Sequence, residues 1–143
     1  MRCDICLSNS GKKRISPGKQ IYNGKFWLIE HAYPSKIKGW LVIVLKKHKN
    51  VLHDLTPEEF KELSMLQHKT SILLKNEFDC KKEYIACFSE KKHYQHIHFH
   101  IIPVAKKLSD NNLGPNLFFL GGKLLPQKEI INICSRLNKN IRT

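Results

Sequence analysis

Long hydrophobic runs are missing from this chain of 143 residues. Its most continuous apolar stretch, Trp40 to Leu45, has the length of a strand, far short of the roughly 20 residues that cross a bilayer. The amino terminus carries no apolar segment of the signal-peptide kind, so the expected setting is cytoplasmic, with no membrane partner. Cysteine is scarce and odd in number, five, without scaffold-like spacing, which points to a reducing compartment rather than a disulfide framework. Seven glycines and six prolines do not gather into a linker, and no segment repeats. What is left is one domain over residues 1–143, with 41% hydrophobic residues, enough for a real core.

Acidic residues are also few, 12 against 25 basic, for a net charge of +13. Arginine is nearly absent: only Arg2, Arg14, Arg136 and Arg142, against 21 lysines spread along the whole chain. A Lys-, Asn- and Ile-rich bias is what an AT-rich genome produces, so the charge alone identifies nothing. Functionally, a positive field concentrates polyanions such as nucleotides and phosphorylated RNA or DNA ends. Phosphate ligands are favoured, and nucleic acid stays open as a partner.

Against this plain background one segment stands out: His96-Ile97-His98-Phe99-His100-Ile101-Ile102-Pro103. Side chains alternate across a strand, so His96, His98 and His100 share one face, and Ile97, Phe99 and Ile101 the other. Imidazole titrates near neutral pH, and such a row supplies a nucleophile, a proton donor and a metal ligand side by side. Read alone, the row also fits a mononuclear catalytic zinc with an open position, or a solvated face of no function. A second cluster is Cys3-Asp4-Ile5-Cys6, the C-x-x-C spacing common in zinc sites. A redox pair is disfavoured because no strand precedes it. A four-coordinate site needs two further ligands, for which His31, His53 and His93 are among the candidates.

Periodicity places these motifs. Residues 7–20 read as loop. Tyr22 to Glu30 contains Phe26-Trp27-Leu28-Ile29, a short apolar run suited to a strand and broken by Ala32-Tyr33-Pro34-Ser35, and Trp40 to Leu45 reads as a central strand apolar on both faces. Thr56 as N-cap, Pro57 in the first turn and Glu59 completing a capping box start a helix whose inward stripe is Phe60, Leu63, Leu66, Thr70 and Leu73. Glu83–Ser89 and Gln95–Val104 read as strands joined by the charged turn Glu90-Lys91-Lys92-His93. After the Asn/Gly-rich stretch around Leu117-Phe118-Phe119-Leu120, a last helix runs from Pro126 with Ile130, Ile133, Cys134 and Leu137 on one side. Hairpin strands with one long helix and a tail helix make an α+β domain.

The segment His96 to Ile102 resembles the H-φ-H-φ-H-φ-φ signature of the histidine triad (HIT) superfamily of nucleotide hydrolases and transferases. Gly39-Trp40-Leu41-Val42-Ile43-Val44-Leu45-Lys46-Lys47-His48 is similar to that family's second-strand segment. Leu55-Thr56-Pro57-Glu58-Glu59 resembles the start of its long helix, and Cys3-Asp4-Ile5-Cys6 the C-x-x-C of its zinc-bearing members. In order and spacing these cover most of residues 1–104. The resemblance implies a HIT-like antiparallel sheet with one long central helix and a C-terminal helix, usually doubled across a homodimer. It implies structural zinc on Cys3, Cys6, His48 and His96.

By the same resemblance the catalytic candidates are His96, His98 and His100. His98 is the expected nucleophile, forming a nucleotidyl-histidine intermediate that water hydrolyses. His100 would contact the phosphate oxygens or protonate the leaving group, and a zinc-held His96 would orient the strand. Two departures concern the substrate. The family's Gly-Gln-Ser element is replaced by Lys91-Lys92-His93-Tyr94-Gln95, which puts His93 at the serine position and makes Ser89, Glu90, Lys92, His93 and Gln95 the candidate substrate contacts. Val104 stands where a basic residue often follows the proline, with Lys106 or Lys107 as stand-ins. The galactose-1-phosphate uridylyltransferase branch has glutamine where His100 stands, so hydrolysis is favoured over transfer. Implied substrates are dinucleoside polyphosphates such as diadenosine tetraphosphate, adenosine phosphoramidates and adenylated conjugates. Trp27, Trp40, Phe26 and Tyr22 are candidates to wall a base pocket, core packing being the expected role of Trp40 in particular. Aprataxin-like removal of adenylate from nucleic-acid ends, and nucleotide binding without turnover, are the alternatives.

Overall fold

The structure, a computed structural model, describes residues 2–141; Met1, Arg142 and Thr143 lie outside the described residues. Strand-forming residues build one five-stranded sheet, every neighbouring pair antiparallel: β1 (Tyr22–Asn23), β2 (Trp27–His31), β3 (Leu41–Leu45), β5 (His98–Ala105) and β4 (Cys80–Ala86), in that spatial order. The uninterrupted apolar run of β3 suits its central place. Leu41, Ile43 and Leu45 join the main core, while Val42 and Val44 face the other side, toward a cavity.

One sheet face is covered by α2 (Pro57–Glu77) and α3 (Gln127–Asn140). The start of α2 is held as its sequence predicts. Glu59 N–H donates to Thr56 Oγ1 at 3.1 Å, and Thr56 N–H to Glu59 Oε1 at 2.7 Å. Burial opposes ionisation of Glu59, yet hydrogen bonds from Lys49 (Nζ to Oε1, 2.7 Å) and Thr56 outweigh it and hold the carboxyl below its usual range. Ile130, Ile133, Cys134 and Leu137 of α3 are buried as expected. Among the described residues no helix is long and apolar enough to cross a membrane.

The strand expected at Phe26-Trp27-Leu28-Ile29 is present as β2; ahead of it the chain turns at Asn23-Gly24, and the Glu62 carboxylate accepts from the backbone N–H groups of Lys25, Phe26 and Trp27, each at 2.8 Å. Four expectations need correction. Residues 7–9 are not loop but the end of α1 (Asp4–Asn9), capped by the Cys3 thiol. Phe60 is 42% exposed; the inward stripe of α2 is Glu59, Leu63, Leu66, Thr70, Leu73 and Leu74. The fourth strand ends at Ala86 rather than Ser89. The fifth begins at His98, so His96 stands two residues ahead of it.

The opposite sheet face is only partly covered. Ile102, Val104 and Leu117 form a second, smaller cluster with Trp40, Tyr84 and Phe118 around it, because the apolar patch at 117–120 folds as a short helix, Gly114–Phe119, over the end of β5. Registers align Glu30 with Val42 and Val42 with His100 in one row, and Leu28 with Val44 and Val44 with His98 in the next. Glu30, Val42 and His100 of the first row and Val44 and His98 of the second line the functional site.

Candidate active site and metal centre

A cavity of about 460 Å³ opens on this face, with His98, His100, Trp40, Val42, Val44 and Ser89 among its walls. The hydrogen bonds define the two imidazoles. His98 Nδ1 lies 2.7 Å from the backbone oxygen of His96, and a carbonyl only accepts, so Nδ1 carries the proton and Nε2 the lone pair. Trp40 Nε1–H, which only donates, meets His100 Nδ1 at 3.0 Å, so the His100 proton sits on Nε2. The two rings are 5.0 Å apart between centroids, and Trp40 and Phe118 pack edge-on against His100. Burial lowers the pKa of both, and for His100 the neighbouring His98 adds to it, taking the ring down to about 4. At neutral pH the site therefore holds two neutral imidazoles of fixed and opposite polarity.

Behind this cavity lies a second centre. Ligand atoms of Cys3, Cys6, His48 and His96 all fall within 4.8 Å of one another. Cys3 Sγ and Cys6 Sγ each stand 3.5 Å from His96 Nδ1, Cys6 Sγ stands 3.5 Å from His48 Nδ1, and the two Nδ1 atoms are 3.2 Å apart. A tetrahedral zinc with ordinary bond lengths has S···N edges of about 3.6 Å and N···N edges of about 3.3 Å. The residues fit that ion. His96 is turned for it as well: Nε2–H donates to the Leu45 carbonyl at 2.7 Å, which leaves the Nδ1 lone pair facing the cysteines. Burial and the neighbouring Cys3 push the Cys6 thiol up to about 11, so thiolate character here requires a compensating cation.

The expected contacts divide. Ser89 and Glu90 line the cavity, with Ser89 buried at a φ of +54°. Lys92 and Gln95 are exposed and are not among its walls. His93, at a φ of +70°, is not among them either; its carbonyl accepts the Asp4 N–H at 2.8 Å and so seats the start of α1. Of the rival metal ligands, His31 spends Nδ1–H on the Ala32 carbonyl and Nε2 on the Gly39 N–H, and neither His53 nor His93 joins the cluster. Tyr22, Phe26 and Trp27 pack in or against the main core, and Trp27 donates its indole proton to the Glu59 carbonyl. Of the four aromatics Trp40 alone lines the cavity, and it also packs, as expected, against the cluster of Ile102, Val104 and Leu117. Its parity with Val42 and Val44, one residue before β3, was the signal for that.

A family profile described as "Scavenger mRNA decapping enzyme C-term binding", a histidine triad domain, matches residues 5–113, well over half of the chain. The chain belongs to the histidine triad family. No curated protein matches it in sequence. Its fold is shared with a hypothetical histidine triad nucleotide-binding protein from Sulfolobus tokodaii (15% identity, 98% of this chain and 92% of that one, TM-score 0.75). It is also similar to a zinc-bound histidine triad protein from Mycobacterium smegmatis (19%, 96% and 96%, 0.63). A third relative in fold is a Plasmodium falciparum diadenosine triphosphate hydrolase (20%, 85% and 78%, 0.59). The family and its α+β fold are thus established, and the Cys/His cluster lies in a fold that carries zinc in at least one other member.

Proposed function

We propose that the protein is a nucleotide hydrolase that cleaves a phosphoanhydride or phosphoramidate bond at the α-phosphate through His98. The observation that carries this reading is the setting of His98, whose Nδ1–H is anchored on the His96 carbonyl while Nε2 is left free beside a cavity of nucleotide size. Nε2 attacks the α-phosphorus, an N–P bond forms, the P–O or P–N bond to the leaving group breaks, and that group takes up a proton from solvent. Water then attacks phosphorus, the N–P bond breaks, and a nucleoside monophosphate leaves with His98 restored. The bond from Trp40 supports for His100 the part of a neutral Nε2–H donor to a phosphate oxygen, since giving that proton away would leave an imidazolate. Ser89 and Glu90 are further candidate substrate contacts, a role supported by their place in the cavity wall.

Zinc on Cys3, Cys6, His48 and His96 would be structural. Four protein ligands complete its tetrahedron and leave no open position, and their bonds would tie α1 to β3 and the approach to β5. Five free cysteines accord with a reducing, cytoplasmic setting. Strand β4 lies at the sheet edge, with Ile85 and Phe88 46% and 59% exposed, which supports a homodimer joined along it.

The test is incubation with diadenosine tetraphosphate and with adenosine phosphoramidate, followed by trapping of the labelled enzyme. Release of AMP with label on His98, both lost in His98→Ala, is the expected result. Turnover persisting in His98→Ala, or label trapped on another residue, refutes the mechanism.

A further inference from the structure

The cavity wall has a charged end that the chemistry above does not use. Glu30, in β2, lies in the same cross-strand row as Val42 and His100, and its side chain is only 6% exposed. Its Oε1 accepts from the Arg14 guanidinium, whose other nitrogen donates to the Gly18 carbonyl. Its Oε2 has no hydrogen-bond partner among the described residues. It is not sealed off either: among the described residues the one fully enclosed, unpartnered side-chain oxygen or nitrogen is Asn9 Oδ1, so Oε2 keeps some exposure, and Glu30 lines the cavity. A carboxylate oxygen in so enclosed a place is unfavourable without a donor, and a ligand N–H would supply one.

We infer that Glu30 reads the edge of the bound base and makes the cavity selective for guanine nucleotides. This rests on the nucleotide reading given above and narrows it to one base. Two strand spacings separate Glu30 from His100, about 10 Å along the sheet. That is the reach of a nucleoside from its α-phosphate to the far edge of its base. A phosphate beside His98 and His100 therefore puts a base over Val42 and Val44, with Ile5 and Ile15 offering further apolar contact and its edge at Glu30.

The bases differ in what they bring to that oxygen. Guanine offers two adjacent donors, N1–H and the exocyclic N2 amine. Adenine and cytosine place a bare ring nitrogen beside their amine, so a lone pair would face the carboxylate. Uracil has its one N–H flanked by two carbonyls. A hydrogen bond to a charged group, set against an unpaired acceptor, is a discrimination of about 10- to 100-fold.

Calorimetric titration of the zinc-loaded full-length chain with GMP, IMP, AMP and UMP tests this without any variant. GMP should bind at least about tenfold more tightly than AMP or UMP, and IMP, which lacks the N2 amine, should fall between. Glu30→Gln, which replaces one oxygen with a donor amide, should collapse the GMP/AMP ratio. AMP binding as tightly as GMP, or a preference that survives in a folded Glu30→Gln, overturns the assignment while leaving nucleotide binding intact. Failure of all four nucleotides to bind overturns both.

Discussion

Trp40→Phe isolates a single hydrogen bond at the catalytic pair. Phenylalanine keeps an aromatic ring facing His100 and Phe118, and removes the indole N–H that His100 Nδ1 accepts at 3.0 Å together with part of the indole's volume. That N–H stabilises the neutral ring, because a protonated Nδ1 has no lone pair with which to accept it. A net hydrogen bond of about 1 kcal/mol corresponds to about 0.7 pH unit. The His100 pKa should therefore rise from about 4 toward 5, and the acid limb of the rate profile should move with it. His98, the neighbouring ring that adds to the lowering at His100, is itself pushed down by burial, so it does not supply the shift. With the tautomer no longer enforced, part of the neutral population carries its proton on Nδ1, and kcat should fall about tenfold, the rate equivalent of roughly 1.4 kcal/mol. Rates between pH 4 and 8, with the ring nitrogens followed by NMR, measure both effects. A Trp40→Phe protein that folds, keeps the Nε2–H tautomer and shows an unmoved acid limb would refute the role given to Trp40.

Other perturbations reach different parts of the molecule. His31, His98 and His100 all have folded pKa values below that of free histidine, His100 near 4, so between about pH 6.5 and 4 the unfolded chain binds protons that the folded one refuses. Melting temperature should hold above pH 6.5 and fall through that window, less steeply in His100→Asn; a melting temperature rising on acidification contradicts the assignment. Cys3→Ser, or chelation, should lower the melting temperature by about 10 °C while His98→Ala stays within a few degrees of the parent. Equal losses in both would dissolve the division between structural and catalytic residues. Thr56→Ala removes half of the capping box and should cost about 1 kcal/mol in denaturant unfolding, with no change in activity.

How far the sequence disclosed all this depended on whether a signal was local. The capping box of α2, the apolar run of β3 and the buried side of α3 are each written within one segment, and each appears as read. The four ligands of the metal cluster were named by resemblance, and the fold brings them together. Phe60 was misplaced because helical periodicity does not say that a carboxylate, Glu59, will take the inward position; only the lysine delivered by another segment makes that burial tolerable. Trp40 was legible through its parity with Val42 and Val44, whereas Glu30 carries no local signal, because its place depends on cross-strand register, which pairs Val42 with His100 on one side and Glu30 on the other.

One residue joins the two centres, and the order of its bonds says how. The His96 ring is fixed twice, by Nε2–H on the Leu45 carbonyl and by Nδ1 toward the cysteines. Its backbone oxygen, which that fixation aims, is the acceptor that sets the His98 tautomer. The Leu45 carbonyl is itself shared, since Asn9 at the end of α1 donates to it at 3.1 Å. The amino-terminal helix, the central strand and the nucleophile are thus connected through three consecutive hydrogen bonds, and not through any side chain that touches substrate. His96→Asn should damage both properties together, melting temperature through the lost ligand and kcat through the loosened carbonyl. Cys3→Ser, which leaves the Leu45 bond in place, should lower stability more than it lowers kcat.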